Sequence, residues 1–151
     1  MNAALVKIDV AAVDLHKSIP EILRMVDGGD LVLPGLVFVF NVARDPASRD
    51  RELRFWREEL LAVDFAARQN PCARVPFDKA LRRILPERIT NFHAGQVDEL
   101  FQLRPRTRID LHGELRAAGA NGGRHFYART DLAAFLQRRW LAKTLATDLP
   151  R

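Results

Sequence analysis

The residues with the clearest chemical potential lie close together in the C-terminal half of the chain. They are Arg104, Arg106, Thr107 and Arg108, with Pro105 inside the group. Arginine can donate two hydrogen bonds to O6 and N7 of guanine, and threonine can contact a thymine methyl group or a phosphate. Proline fits the first turn of a helix, where its missing amide needs no partner. This spacing predicts a helix over residues 105–117 whose first turn contacts DNA bases.

A second polar group follows a glycine-rich turn at residues 119–123. Residues 124–128 (RHFYA) are typical of a short strand, and the glycine pair 122–123 accepts the positive φ that a tight hairpin turn needs. The pattern predicts a β-hairpin over residues 119–128. Its tip would carry Asn121, Arg124 and His125, which could contact DNA beside the helix.

Two further helices would position these groups. Apolar spacing predicts one over Ala94–Phe101, with Val97, Leu100 and Phe101 facing inward. A closing helix follows the hairpin, capped by Thr130. Its predicted buried residues are Leu132, Phe135, Leu136, Trp140 and Leu141, and the predicted phosphate contacts around it are Arg129, Arg138 and Arg139.

Residues 94–140 resemble the winged helix-turn-helix of excisionase-type and MerR-type DNA-binding proteins. The first helix matches at Val97, Glu99, Leu100 and Phe101, and the Arg106-Thr107 pair matches the opening of the recognition helix. The closing segment matches at Arg129, Asp131, Leu132, Phe135 and Leu136, while Gln102 stands where the family usually has glycine. The resemblance covers about a third of the chain. It implies a recognition helix in the major groove and a wing beside it.

The charge of the chain is unevenly distributed. Residues 1–72 hold 9 Lys/Arg and 11 Asp/Glu, a net of −2, and residues 73–151 hold 15 and 8, a net of +7; together they give the +5 of the chain. A basic half suggests a polyanionic partner for that half. The sequence therefore predicts a DNA-binding domain at 73–151 and an N-terminal α/β segment at 1–72 that supports it or dimerises.

The N-terminal half mixes helix and strand signals. Ser18 and Glu21 have the spacing of a helix-capping box. Residues 31–43 are typical of a strand, and residues 52–56 could pair with it as a hairpin followed by a helix over 58–69. The alternative is one helix over 51–69. With a further helix over 77–85, the predicted class is α+β, mainly helical, with a C-terminal winged helix-turn-helix.

Other chemistries find little support. The single cysteine, Cys72, cannot form an internal disulfide. The histidines lack metal-ligand spacing, and the glycine-rich turn lacks the lysine of a phosphate-binding loop. No metal, cofactor or enzymatic activity is expected. The longest apolar run is too short to cross a bilayer and no secretory signal is visible, so we expect a cytoplasmic protein.

The leading hypothesis is a bacterial or mobile-element protein that binds double-stranded DNA. It would act as a transcriptional regulator or as a recombination accessory factor, with homodimerisation through the N-terminal segment as one arrangement. The alternative is a protein–protein interaction adaptor that uses a winged-helix fold without DNA.

Overall fold

The structure is a computed structural model that describes residues 3–27, 37–43, 45, 47, 49–61, 63, 76–103, 115, 119–121 and 124–141. These residues form an α+β arrangement with two three-stranded antiparallel sheets. One sheet lies in each half of the chain, and helices pack against both.

The N-terminal sheet has the strand order β1-β3-β2. Its strands are β1 (Leu5–Val6), β2 (Val39–Asn41) and β3 (Leu53–Trp56). Because every residue of the central strand β3 is buried, this sheet is covered on both faces. Three helices belong to the same half: α1 (Ile8–Leu15), α2 (Ile19–Val26) and the short α3 (Arg57–Leu60).

The predicted capping box at α2 is confirmed. The Ser18 hydroxyl accepts from the Glu21 amide at 3.2 Å, and the Glu21 carboxylate accepts from the Ser18 amide at 3.0 Å. The bonds to Ser18 lower the pKa of Glu21. Ile22 and Val26 are buried as expected from the apolar face of this helix.

The C-terminal half begins with α4 (Phe77–Ile84) and then forms β4 (Asn91–His93) and α5 (Ala94–Phe101). It ends with β5 (Gly119–Asn121), β6 (Arg124–Ala128) and α6 (Arg129–Arg139). The strand order is β4-β6-β5, so the central strand β6 pairs with the strand before α5 as well as with its hairpin partner.

Of the two buried hydrophobic clusters in the described residues, one is built from both halves of the chain. Phe40 and Trp56 of the N-terminal sheet belong to the same buried cluster as Phe101 and Phe135 of the C-terminal helices. Trp140, just after α6, forms an isolated bridge to Phe40 through its backbone. The predicted boundary between residues 72 and 73 separates the two halves in sequence. Their side chains nevertheless pack together in this cluster.

Three sequence predictions can be compared with these elements. The hairpin pairing of residues 52–56 is confirmed, because Val39 pairs with Phe55 and Asn41 with Leu53. The alternative helix over 51–69 is wrong, since Leu53–Trp56 is a strand. The predicted Thr130 cap is also wrong: β6 runs directly into α6, whose N-cap is Ala128 with no side-chain bond. The predicted helix over 105–117 lies outside the described residues except at Leu115, where the prediction is wrong because the backbone forms a bend.

Candidate nucleic-acid interface

The first helix of the predicted DNA-binding unit, α5, begins at a histidine cap. His93 Nδ1 accepts from the Gln96 amide at 3.3 Å, and Gln96 Oε1 accepts from the His93 amide at 3.0 Å. A Cβ at Gly95 would lie 3.3 Å from two atoms of the His93 ring. The missing side chain at Gly95 therefore gives the ring room to cap the helix.

The other end of α5 is a left-handed turn. Gln102 has φ 49° and ψ 46°, and its backbone amide donates to the Asp98 carbonyl. The Leu103 amide donates to the same carbonyl at 2.9 Å, and the Leu103 side chain is buried. A left-handed residue at the end of a helix is most often glycine, and here glutamine adopts that conformation.

Three residues of the N-terminal half donate four hydrogen bonds to this turn. The Ala4 amide donates to the Leu100 carbonyl at 3.1 Å. The Lys7 amide donates to Gln102 Oε1 at 2.7 Å. Arg54 Nε donates to the Phe101 carbonyl at 2.7 Å, and its Nη2 donates to the Gln102 carbonyl at 3.1 Å. Carbonyls at the end of a helix have no partner within the helix, so these contacts satisfy groups that would otherwise be unpaired.

Arg54 was not found from the sequence, although it lies in the central strand β3. It is 2% exposed, and its Nη1 also donates to the Leu53 carbonyl at 2.9 Å. Burial lowers the pKa of its guanidinium, and nearby Glu52 opposes that change. The sequence did contain a signal for a buried, partnered arginine, namely one charged residue among Leu53, Phe55 and Trp56. A buried strand rarely carries a charge without specific partners.

The hairpin predicted over residues 119–128 is present. Gly119 pairs with Phe126 and Asn121 with Arg124, so two glycines connect the last paired positions. On the other edge of β6, Phe92 pairs with Tyr127, and both side chains are buried. Pairing to β4 fixes the hairpin beside α5, because β4 leads directly into that helix.

The predicted contact residues have different positions. Arg104, Arg106, Thr107 and Arg108 lie outside the described residues. Asn121 and Arg124 occupy the last paired positions of the hairpin, and the side chains of His125 and Arg138 are exposed. Within the described residues, the exposed candidates therefore lie on β6 and near the end of α6.

Two arginines predicted to contact DNA have other partners. Arg139 is 3% exposed, donates from Nη1 to the carbonyls of Asn41 and Ala43, and lies over the Phe135 ring at 4.9 Å from its centroid. The prediction for Arg139 is wrong, because its guanidinium is directed into the core. Arg129 is half-buried, and its Nε and Nη2 donate to the Leu85 carbonyl at 3.1 and 2.9 Å. These bonds tie the Arg129 guanidinium to the end of α4, and its contact with DNA stays a prediction.

Part of the positive charge of this half is neutralised on α4. Arg83 pairs with Glu58 at 2.8 Å. Arg82 lies 3.2 Å from Glu87 and 3.7 Å from Asp78. The partners of Arg82 are already included in the net charge of residues 73–151, whereas Glu58 is not, so its pairing with Arg83 makes the α4 surface less positive than that net charge indicates.

In the described part of the chain, no group of three or more His, Cys, Asp or Glu side chains could hold a metal ion. Among the helices of those same residues, none is long and apolar enough to cross a membrane. No family model matches the chain, and neither a curated protein nor a solved structure matches it.

Proposed function

We propose that this protein binds double-stranded DNA through a winged helix-turn-helix in its C-terminal half. The recognition helix would lie within residues 105–114, before the bend at Leu115, and the β5–β6 hairpin would form the wing. Arg104, Arg106, Thr107 and Arg108 would contact the major groove, and Asn121, Arg124 and His125 would contact the DNA beside it.

One observation carries this proposal: β6 joins the hairpin to β4, and β4 leads directly into α5. The hairpin is thereby fixed next to the helix whose C-terminal turn precedes the arginine cluster. A helix, a tight turn, a basic segment and an adjacent hairpin are the parts that a winged helix-turn-helix requires. The left-handed conformation of Gln102 supports the same interpretation, because it ends α5 sharply one residue before Leu103.

Arg138 would add a contact that does not depend on sequence. Its side chain is exposed in the last turn of α6. A surface arginine suits a phosphate, and phosphate contacts set the position of a protein on DNA without distinguishing bases. The proposed interface thus combines a base-reading segment with a backbone-contacting one.

The proposal is tested by selecting bound sites from a random duplex library with the wild-type protein and with Arg106→Ala. We expect the wild type to enrich a defined site. Arg106→Ala should lose about 1–3 kcal/mol of binding free energy on that site and accept other bases at one position. Two inverted half-sites in the enriched sequence would in addition indicate that the protein binds as a homodimer.

Two results would count against this function. If no duplex is enriched or bound, the protein-interaction alternative replaces it. If Arg106→Ala retains the full base preference of the wild type, the recognition segment is assigned to the wrong residues. Whether a DNA-binding protein of this kind regulates transcription or assists recombination would follow from where the enriched site occurs.

A further inference from the structure

The turn between α5 and the arginine cluster is held mainly from outside its own half of the chain. Within the described residues, the carbonyls of Leu100, Phe101 and Gln102 accept from Ala4 and Arg54. The Gln102 side chain accepts from Lys7. All these donors lie in the N-terminal half, so the end of α5 is tied to that half as well as closed by its own bonds to Asp98.

Arg54 differs from the other donors because it bridges two consecutive carbonyls. Its Nε and Nη2 reach the Phe101 and Gln102 carbonyls at 2.7 and 3.1 Å. A guanidinium is planar and its donors are fixed relative to one another, so two bonds from it define an orientation as well as a distance. Placing a charge in the core is costly, and an apolar residue would fill this strand position at lower cost. The geometry of the bonds, more than the volume of the side chain, accounts for an arginine here.

We propose that Arg54 is a positioning residue for DNA recognition. By holding Phe101 and Gln102 against the N-terminal sheet, it sets the direction in which the chain leaves α5 toward Arg104, Arg106 and Arg108. This inference rests on the proposed function, and it gives residues 1–72 a defined part in that function. Arg54 itself is buried and touches no DNA.

The test compares Arg54→Met, Arg54→Lys and the control Arg51→Met. Methionine keeps an apolar stem but removes every donor, and lysine keeps the charge but lacks the fixed pair of donors. Arg51 precedes the same strand, and its guanidinium pairs with the exposed Asp27 at 2.7 Å. The near-ultraviolet circular dichroism of Trp56 and Trp140 reports whether each variant keeps the shared core.

Two quantities are measured on the full chain: hydrogen exchange at the Leu103 amide, and affinity for the selected duplex. In Arg54→Met we expect Leu103 exchange to accelerate about tenfold relative to core amides, because its bond to the Asp98 carbonyl depends on the held turn. Duplex affinity should fall by about tenfold or more, since small displacements of a contacting segment are costly. For Arg54→Lys, the Leu103 exchange rate and the duplex affinity should both lie between those of the wild type and Arg54→Met. For Arg51→Met, both should equal the wild-type values.

Equal loss of affinity in Arg54→Met and Arg51→Met would overturn the inference, because the effect would then be one of charge. So would unchanged Leu103 exchange and unchanged affinity in a folded Arg54→Met. If Arg54→Met loses the near-ultraviolet circular dichroism of the core, Arg54→Lys is used in its place, and its Leu103 exchange and duplex affinity decide the question. If the wild type binds no duplex, the proposed function fails, and Leu103 exchange alone decides whether Arg54 holds the turn.

Discussion

Some arginines of this chain donate to backbone carbonyls inside the structure and others are exposed, and the residue type alone does not distinguish the two. Arg54, Arg129 and Arg139 donate to backbone carbonyls at the ends of helices or strands. Arg138 is exposed although it is adjacent to Arg139. Neighbouring positions on a helix point about 100° apart, so one faces the core while the other faces solvent. A count of basic residues therefore overstates the number that can contact DNA.

Arg138 and Arg139 form a matched pair for testing this distinction. Arg139→Ala removes the bonds that Nη1 donates to the Asn41 and Ala43 carbonyls and empties a buried position, so we expect it to lower the free energy of unfolding by about 2–4 kcal/mol. Arg138→Ala should change that free energy by less than about 0.5 kcal/mol and should weaken binding to all duplex sequences to the same extent. Urea unfolding and duplex titration of both variants measure the two effects. The assignment is contradicted if Arg138→Ala destabilises the protein as much as Arg139→Ala, or if it leaves duplex binding unchanged.

At the scale of elements, the sequence predicted those features that depend on residues close together along the chain. The helix Ala94–Phe101 has the predicted bounds, and the Ser18–Glu21 capping box forms, because both depend on residues a few positions apart. Strand β4 was missed, since its three residues show no period and it exists through pairing with β6. The start of α6 was misplaced because the Arg129 amide donates to the Thr90 carbonyl, a contact between segments distant in sequence.

The role of the β5–β6 hairpin can be tested by substitutions that disfavour the backbone conformation of its turn. Replacing Gly122 and Gly123 together by valine removes the residues that accept positive φ at no steric cost. We expect a folded protein with weaker duplex binding, because Tyr127 and Phe135 still form the core while the paired ends Asn121 and Arg124 are displaced.

Ala120→Val is the matched control for this double variant. Ala120 lies within β5 and pairs with His125, and valine suits a strand position. Circular dichroism and a binding isotherm are measured for both. If the glycine variant binds duplex as tightly as the control, the hairpin is a plain connector; if only the glycine variant unfolds, the turn belongs to the folding core.

At the scale of the whole molecule, the two halves act as one packed unit. Phe38, before β2, lies with its ring centroid 5.6 Å from Phe77 and 5.4 Å from Trp140, and the Phe77 and Trp140 rings stack at 4.2 Å. The net charge changes from negative to positive near residue 72, but the packing of buried side chains continues across that boundary. That the basic half meets a polyanion stays a prediction. The sequence could not indicate that the N-terminal half holds the turn of α5, because that depends on tertiary contacts of Arg54 and Lys7.

The salt dependence of duplex binding tests the central claim most directly. Without Arg129 and Arg139, whose guanidiniums donate to backbone carbonyls, five arginines remain among the predicted contacts. If all five neutralise phosphates, the logarithm of the association constant should fall against the logarithm of salt concentration with a slope of about −4 to −5. Arg138→Ala should make that slope shallower by about 1. A linear dependence of this size is the predicted result for a DNA-binding protein. Binding that does not change between low and physiological salt, or the absence of duplex binding at low salt, would contradict the account.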